Sequence, residues 1–159
     1  MSEILWRFAD LESQSFSPGA VLIPEGERLG KLFVLASGEV EVLRAGTIVT
    51  TVDEPGAVFG EMSVLLDMPH SATVRARSAV EAYAVDDVLE FLKQRPALAV
   101  DLAVLVASRL QATTAVLVDL RKQFEGKKEE LGFIERIFAA LTAPPRSRGG
   151  DGGRVISHE

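Results

Sequence analysis

Phe59-Gly60-Glu61-Met62-Ser63-Val64-Leu65-Leu66-Asp67-Met68-Pro69-His70-Ser71-Ala72-Thr73-Val74 is the stretch that decides how this chain folds and what it holds. Glycine at 60 lets the backbone come close to a neighbour, and Glu61 opens a short apolar helix. The free N–H groups of a helix start attract anions such as phosphate. A carboxylate beside them suits a hydroxyl donor such as a ribose. Pro69 then fixes a turn that presents His70 and Ser71, a titratable base and a hydroxyl. Acceptor, amides, hydroxyl and base within twelve positions describe a sugar-phosphate cradle. The residues equally fit a plain capped helix, with Glu61 complementing the helix dipole and His70 on a surface turn.

Upstream, glycines at 19, 26, 30, 38, 46, 56 and 60 punctuate short apolar runs rich in β-branched residues. Regular turn signals of this kind predict antiparallel β-structure, a sandwich or barrel. Glu39-Val40-Glu41-Val42 alternates polar and apolar, so one face is wet. Val34 and Leu35 before Ser37-Gly38, and Ile48 to Val52 after Arg44-Ala45-Gly46, read as hairpin partners. Ile4, Leu5, Phe8 and Leu11 are spaced for an amphipathic N-terminal helix over 1–15.

Downstream the texture turns helical. Asp86 or Asp87 is placed to cap a helix over Val88–Lys93, and Pro96 to open a longer one that runs to Phe124 or Glu125 and stops at Gly126. Val106, Leu110, Thr113, Leu117, Leu120 and Phe124 form a heptad seam on that helix. Leu102, Leu105, Ala112 and Val116 give it a second apolar surface. Two such faces predict two partners, its own domain and a second copy; the alternative is burial under the helix that follows. Leu131, Ile134, Ile137, Phe138 and Leu141 predict that further helix within 126–143. Two prolines and four glycines in the last 16 residues predict a disordered tail, 144–159.

Composition excludes several classes. The chain has 159 residues, 47% hydrophobic and 25% charged, enough for a core without staples. It has no cysteine, so disulfides, thiolate zinc and iron–sulfur clusters are ruled out. A net charge of −6 argues against direct nucleic-acid binding. The N-terminus lacks the pattern of a secretory signal, and no uninterrupted apolar run is long enough to span a membrane, so a cytoplasmic protein is expected. With only His70 and His158, and no catalytic signature, no catalytic residue or metal ligand is assigned and the chain is not expected to be an enzyme.

Residues 59–74 resemble the phosphate-binding cassette of cyclic nucleotide-binding domains, whose pattern is Phe-Gly-Glu, a short helix, then Pro-Arg-Ser/Ala-Ala-Thr. The resemblance extends through the glycine-rich region from Gly19 to Gly56. It reaches Arg109-Leu110-Gln111-Ala112-Thr113-Thr114, similar to the adenine-contacting stretch of the bacterial catabolite activator protein. It implies a mainly β fold with flanking α: an antiparallel β-roll of the double-stranded β-helix or jelly-roll type, with an N-terminal helix, a short cassette helix and a long C-terminal helix. The binding domain would span 16–125.

The same resemblance implies the site. The Gly60 backbone and Glu61 carboxylate would hold the ribose 2′-hydroxyl, and the Ser71 hydroxyl and Ala72 amide the cyclic phosphate. Thr113 would meet the adenine edge, with Thr114 supplied by the partner's helix; Phe59 and Met62 belong to the same ligand-binding stretch. The departure is His70, where the pattern has arginine: the fixed cation becomes an imidazole that titrates near neutrality. The expected function is a stand-alone sensor of cAMP, with cGMP the other candidate. It would need no cofactor, form a homodimer through the long helix, and signal to an unknown partner protein. The alternatives are a degenerate, ligand-free dimerisation module and a truncated transcription regulator of the same family.

Overall fold

The computed structural model describes residues 4–144, so the tail expected over 144–159 lies, apart from its first residue, outside the described residues. Eight strands run as β1 (Ser13–Phe16), β2 (Val21–Ile23), β3 (Leu32–Ser37), β4 (Val40–Arg44), β5 (Thr47–Val52), β6 (Val58–Phe59), β7 (Thr73–Ala76) and β8 (Val80–Val85). The helices are α1 (Glu61–Leu66), α2 (Val88–Gln94), α3 (Pro96–Gln123) and α4 (Lys128–Thr142). The chain divides into two compact units, one ending at Leu102 and the other beginning at Ala103, so the division falls inside α3.

In the first unit the strands form two antiparallel sheets, ordered β1-β8-β3-β6 and β2-β7-β4-β5. This is the expected β-roll. Strand period two sends alternate side chains between the sheets. Leu22 and Ile23 of β2, Phe33 and Leu35 of β3, Val40 of β4, Val74 and Ala76 of β7, and Val80 and Ala82 of β8 make one buried cluster. Strand β3 is also buried on its outer face. There Leu32, Val58 and Val85 meet Phe8, Val88, Phe91, Leu98 and Leu102. Phe8 stacks on Tyr83 and Phe91 at centroid distances of 6.3 and 6.0 Å.

Two expectations for this region are corrected. The N-terminal helix over 1–15 is a single 3₁₀ turn, Leu5–Phe8, followed by strand β1. Sheet pairing overrides the helical spacing: Ser13–Phe16 lie in register with Tyr83–Val80, and the Ser13 and Ser15 hydroxyls both donate to the Glu81 carboxylate. The Ser37-Gly38 turn does not close a hairpin. It carries the chain from one sheet to the other, since β3 pairs with β6 and β8 while β4 pairs with β5 and β7. The other predicted turn, Ala45-Gly46, does close a hairpin, β4–β5, with Val49 bulged out opposite the Val42–Leu43 step. Cross-strand charge supports the second sheet: Arg75 Nη2 and Nε lie 2.5 and 2.7 Å from Glu41 Oε1.

Arginine ties the N-terminal turn to the helices. Arg95, just before Pro96, bonds both oxygens of Asp10 (2.6 and 3.1 Å) and the Arg7 carbonyl (2.9 Å). That bond holds the Asp10 carboxyl below its ordinary range and raises Arg95. Arg7 pairs in turn with Asp101 at 2.5 Å. Helix α3 opens on Pro96 as expected, and Asp87 stands at the N-cap of α2 in a left-handed conformation, without a side-chain cap bond.

In the second unit the later part of α3 and α4 form a helical pair. Leu117 and Ile134 are buried, and Arg121 bonds Glu135 at 2.6 Å. The lower end of the heptad seam, Leu117, Leu120 and Phe124, is therefore at least partly covered by α4, as the alternative to a second copy foresaw. Higher on α3, Val104, Leu110, Val116 and Val118 are exposed. By length and composition α3 could cross a membrane, with a window of mean hydropathy 1.4. It carries Asp101, Arg109 and Asp119 along its length, each costly in hydrocarbon.

The core between the sheets predicts the cost of removing Leu35, which is 1% exposed. Leu35→Ala should lower stability by about 2–5 kcal/mol. In urea titration the midpoint should fall with the slope unchanged.

Candidate functional site

The cassette begins where β6 ends. Phe59 lies opposite Phe33 in the β3–β6 register and packs against the buried cluster, so its side chain anchors the turn. Gly60 follows with φ +89°, a left-handed conformation that L side chains resist. A Cβ there would lie 2.5 Å from the Lys31 carbonyl oxygen and 3.2 Å from His70 Cε1. The glycine is thus required twice, by its dihedral and by the crowding at the place a Cβ would take.

Helix α1 starts at once with Glu61, whose side chain is buried, 5% exposed. Burying a carboxylate is costly unless it is held by partners, so this one is built in rather than left at the surface. Ser63, also buried, donates its hydroxyl to the Met68 carbonyl at 2.5 Å and closes the far end of the turn. Asp67 caps the helix in a left-handed conformation. Met62 and Leu66 point outward and are exposed.

Pro69, His70, Ser71 and Ala72 lead into β7. His70 is 4% exposed, which corrects the reading of it as a surface turn residue. Its ring lies against Gly60, and Nε2 is buried with no hydrogen-bond partner among the described residues. Burial pushes the imidazole pKa below its ordinary value. Ser71 is exposed and Ala72 half-buried. The structure therefore brings Gly60, Glu61 and His70 together at one turn, with Ser71 and Ala72 next along the chain.

A second loop braces the cassette, and the linear motif gives no sign of it. Gly26 N–H donates to the His70 carbonyl at 2.8 Å, and His70 N–H donates to the Glu27 carbonyl at 3.0 Å. Arg28 Nη1 bonds the Asp67 carbonyl at 2.9 Å and its carboxylate at 3.3 Å. Glu25 N–H meets Thr73 Oγ1 at 3.0 Å. The only sequence signal for this loop was its closely spaced Gly26 and Gly30, which pattern alone does not connect to position 70.

Thr113 and Thr114 belong to the second unit. Thr113 is exposed and its hydroxyl donates to the Arg109 carbonyl at 2.9 Å, one helical turn back. The helix itself thus satisfies this polar residue of the seam. Among the described residues no cluster of side chains fit to hold a metal ion occurs.

The cyclic nucleotide-binding domain family model matches residues 13–95, just over half of the chain and the whole cassette region, and the chain belongs to that family. It is 38% identical over 73 residues to the cAMP-dependent protein kinase regulatory subunit of Yarrowia lipolytica, covering 45% of this chain and 19% of the relative. The chain thus spans about a fifth of that relative's length. Among solved structures it resembles the catabolite activator protein of Thermus thermophilus, with TM-score 0.62, 22% identity, and 88% of this chain and 84% of that one covered. It also resembles the N-terminal domain of a transcriptional regulator from Streptomyces coelicolor, with TM-score 0.54, 28% identity, and 70% and 82% covered.

The crowding at position 60 has a measurable consequence. Gly60→Ala must strain a left-handed residue, at about 1–2 kcal/mol, and also displace the Lys31 carbonyl. The melting temperature should fall by several degrees. An unchanged melt would mean that the turn relaxes freely.

Proposed function

We propose that this cyclic nucleotide-binding domain is a regulatory sensor, with cAMP as its ligand and cGMP as the competitor to be tested against it. The observation that carries the reading is the buried Glu61 carboxylate at the left-handed Gly60 turn, with the His70 ring packed on the same turn. In this reading the Glu61 carboxylate accepts the ribose 2′-hydroxyl beside the Gly60 backbone. Ser71 Oγ, the Ala72 amide and His70 receive the cyclic phosphate. Met62 lies at the rim, and Phe59 fixes the floor of the turn. Thr113 is assigned to the adenine edge, with Thr114 supplied by the helix of a second copy.

Similarity to a kinase regulatory subunit supports a role that reports ligand binding to another protein rather than catalysing a reaction. The ligand acts by selecting one conformation over another, so its effect is limited by its differential affinity for the two. The apolar residues exposed on α3, Val104, Leu110 and Val116, support a second copy as the partner of that helix. The cytoplasm is the assigned compartment, and direct nucleic-acid contact is not part of the role.

Two measurements test these assignments. Glu61→Gln keeps the volume and removes the charge. Loss of a charge-assisted hydrogen bond of about 1.5–3 kcal/mol should weaken cAMP binding roughly ten- to a hundred-fold in calorimetry. Equal affinity would return Glu61 to a capping role. For the dimer, Leu110→Glu places a charge on the exposed part of the seam, without disturbing the buried Leu117 and Ile134. Light scattering should report a dimer for the parent and a monomer for the variant. A monomeric parent at tens of micromolar rules the second copy out.

A further inference from the structure

Among the buried polar side chains, His70 stands apart. Glu41 is paired with Arg75, Ser63 with the Met68 carbonyl, and Glu61 has partners of its own. His70 Nε2 is buried and meets no hydrogen-bonding group among the described residues. Buried nitrogen without a partner is rare in folded proteins, because each such group costs free energy that the fold does not recover. It persists where a functional group is to be met.

The surroundings define what that group is. The ring packs on Gly60, at the head of α1, and Ile23 of β2 lies at the same turn. Of the charged residues on the neighbouring elements, Glu61 follows Gly60 directly. Glu25 points its carboxylate at the Ala45 N–H, and Glu27 offers its carbonyl to the His70 backbone. Arg28 is held by Asp67, and the Lys31 ammonium lies 3.6 Å from Asp86. The cations of that set thus have carboxylate partners, and burial is what sets the ionisation of the imidazole. An imidazole so placed is neutral at pH 7 and becomes a cation when an anion arrives beside it.

We propose that His70 makes ligand capture at this cassette proton-coupled: Nε2, unpartnered without ligand, takes a proton from solvent and donates it in a charged hydrogen bond to a phosphate oxygen of the cyclic nucleotide. The proposal rests on the cyclic-nucleotide reading of the site. No covalent bond changes; one proton moves from water to Nε2 for each ligand bound. The sign follows from linkage. The free-state pKa is depressed by burial and the bound-state pKa is raised by the phosphodiester. Affinity therefore rises as pH falls through the bound-state pKa, by at most tenfold per pH unit for one proton. It levels off below the free-state pKa. The cell's pH would then set the threshold at which the sensor fills.

Titration calorimetry of the full chain with cAMP at pH 6, 7 and 8, in PIPES and in imidazole, counts the protons directly. The two buffers differ in ionisation heat, so the difference in observed heat gives the uptake. Proton uptake approaching one per ligand is expected in the window between the two pKa values, with affinity increasing towards pH 6. His70→Asn keeps a donor that does not titrate, and His70→Arg a permanent cation; both should bind with no uptake and a flat pH profile. Binding by the parent with no proton uptake at any of the three pH values overturns the proposal and leaves the cyclic-nucleotide reading standing. Uptake that persists undiminished in either variant overturns the assignment to His70. If the parent binds neither cAMP nor cGMP at millimolar ligand, the cyclic-nucleotide reading itself fails and the proposal with it.

Discussion

The close approach of the Lys31 carbonyl, the His70 ring and the Ile23 side chain to the point a Cβ would occupy at Gly60 sets the geometry on which the cassette depends. No residue with a Cβ fits there. Because the turn is left-handed, β6 ends and α1 begins within a single residue, which directs Glu61 inward instead of to solvent. The sheets supply the rigidity this needs. Strand β3 is buried on both faces and pairs with β6 and β8, so the platform under the turn is fixed by the core rather than by the loop itself.

The second support is the loop between β2 and β3. Backbone hydrogen bonds from Gly26 and to Glu27 clasp His70 from both sides of its peptide unit, and Arg28 holds the end of α1 through Asp67. Position 70 is thus set by the main chain, whatever its side chain. That separates two properties of the residue: where its side chain stands, and the charge it carries. Here the main chain sets the place, and burial holds the imidazole pKa below its ordinary value.

Much of this was legible in the residues. Glycine spacing and β-branched runs announced a β sandwich or barrel, which the family resemblance narrowed to a β-roll, and Pro96 announced the long helix, because turn chemistry and helix starts are local properties. The cassette was legible because it is contiguous. What escaped was non-local. Leu5 and Phe8 carry helical spacing for only one turn, and the pairing of Ser13–Phe16 with Val80–Tyr83 was invisible without β8 beside them. The Ser37-Gly38 turn has hairpin chemistry, but the sheet to which each flanking strand belongs is decided by partners forty residues away. The burial of His70 depends on a loop that shares no motif with it. Thr113 shows a further limit: a heptad pattern places it on the seam but does not tell that its hydroxyl bonds the Arg109 carbonyl of its own helix.

Strand β5 stands at the edge of its sheet, and its six residues, Thr47–Val52, carry no charge. Ile48 and Val49 are exposed, so the strand offers both unpaired amides and apolar side chains, the combination that invites a foreign strand to add on. The bulge at Val49 answers this without lysine or proline. An inserted residue puts the outward-facing donors and acceptors on its two sides out of step with any straight strand, and the added twist turns the edge away from a flat approach. The irregularity that interrupts pairing with β4 is thus also what keeps the sheet from growing, and an apolar edge is tolerated because it makes a poor template.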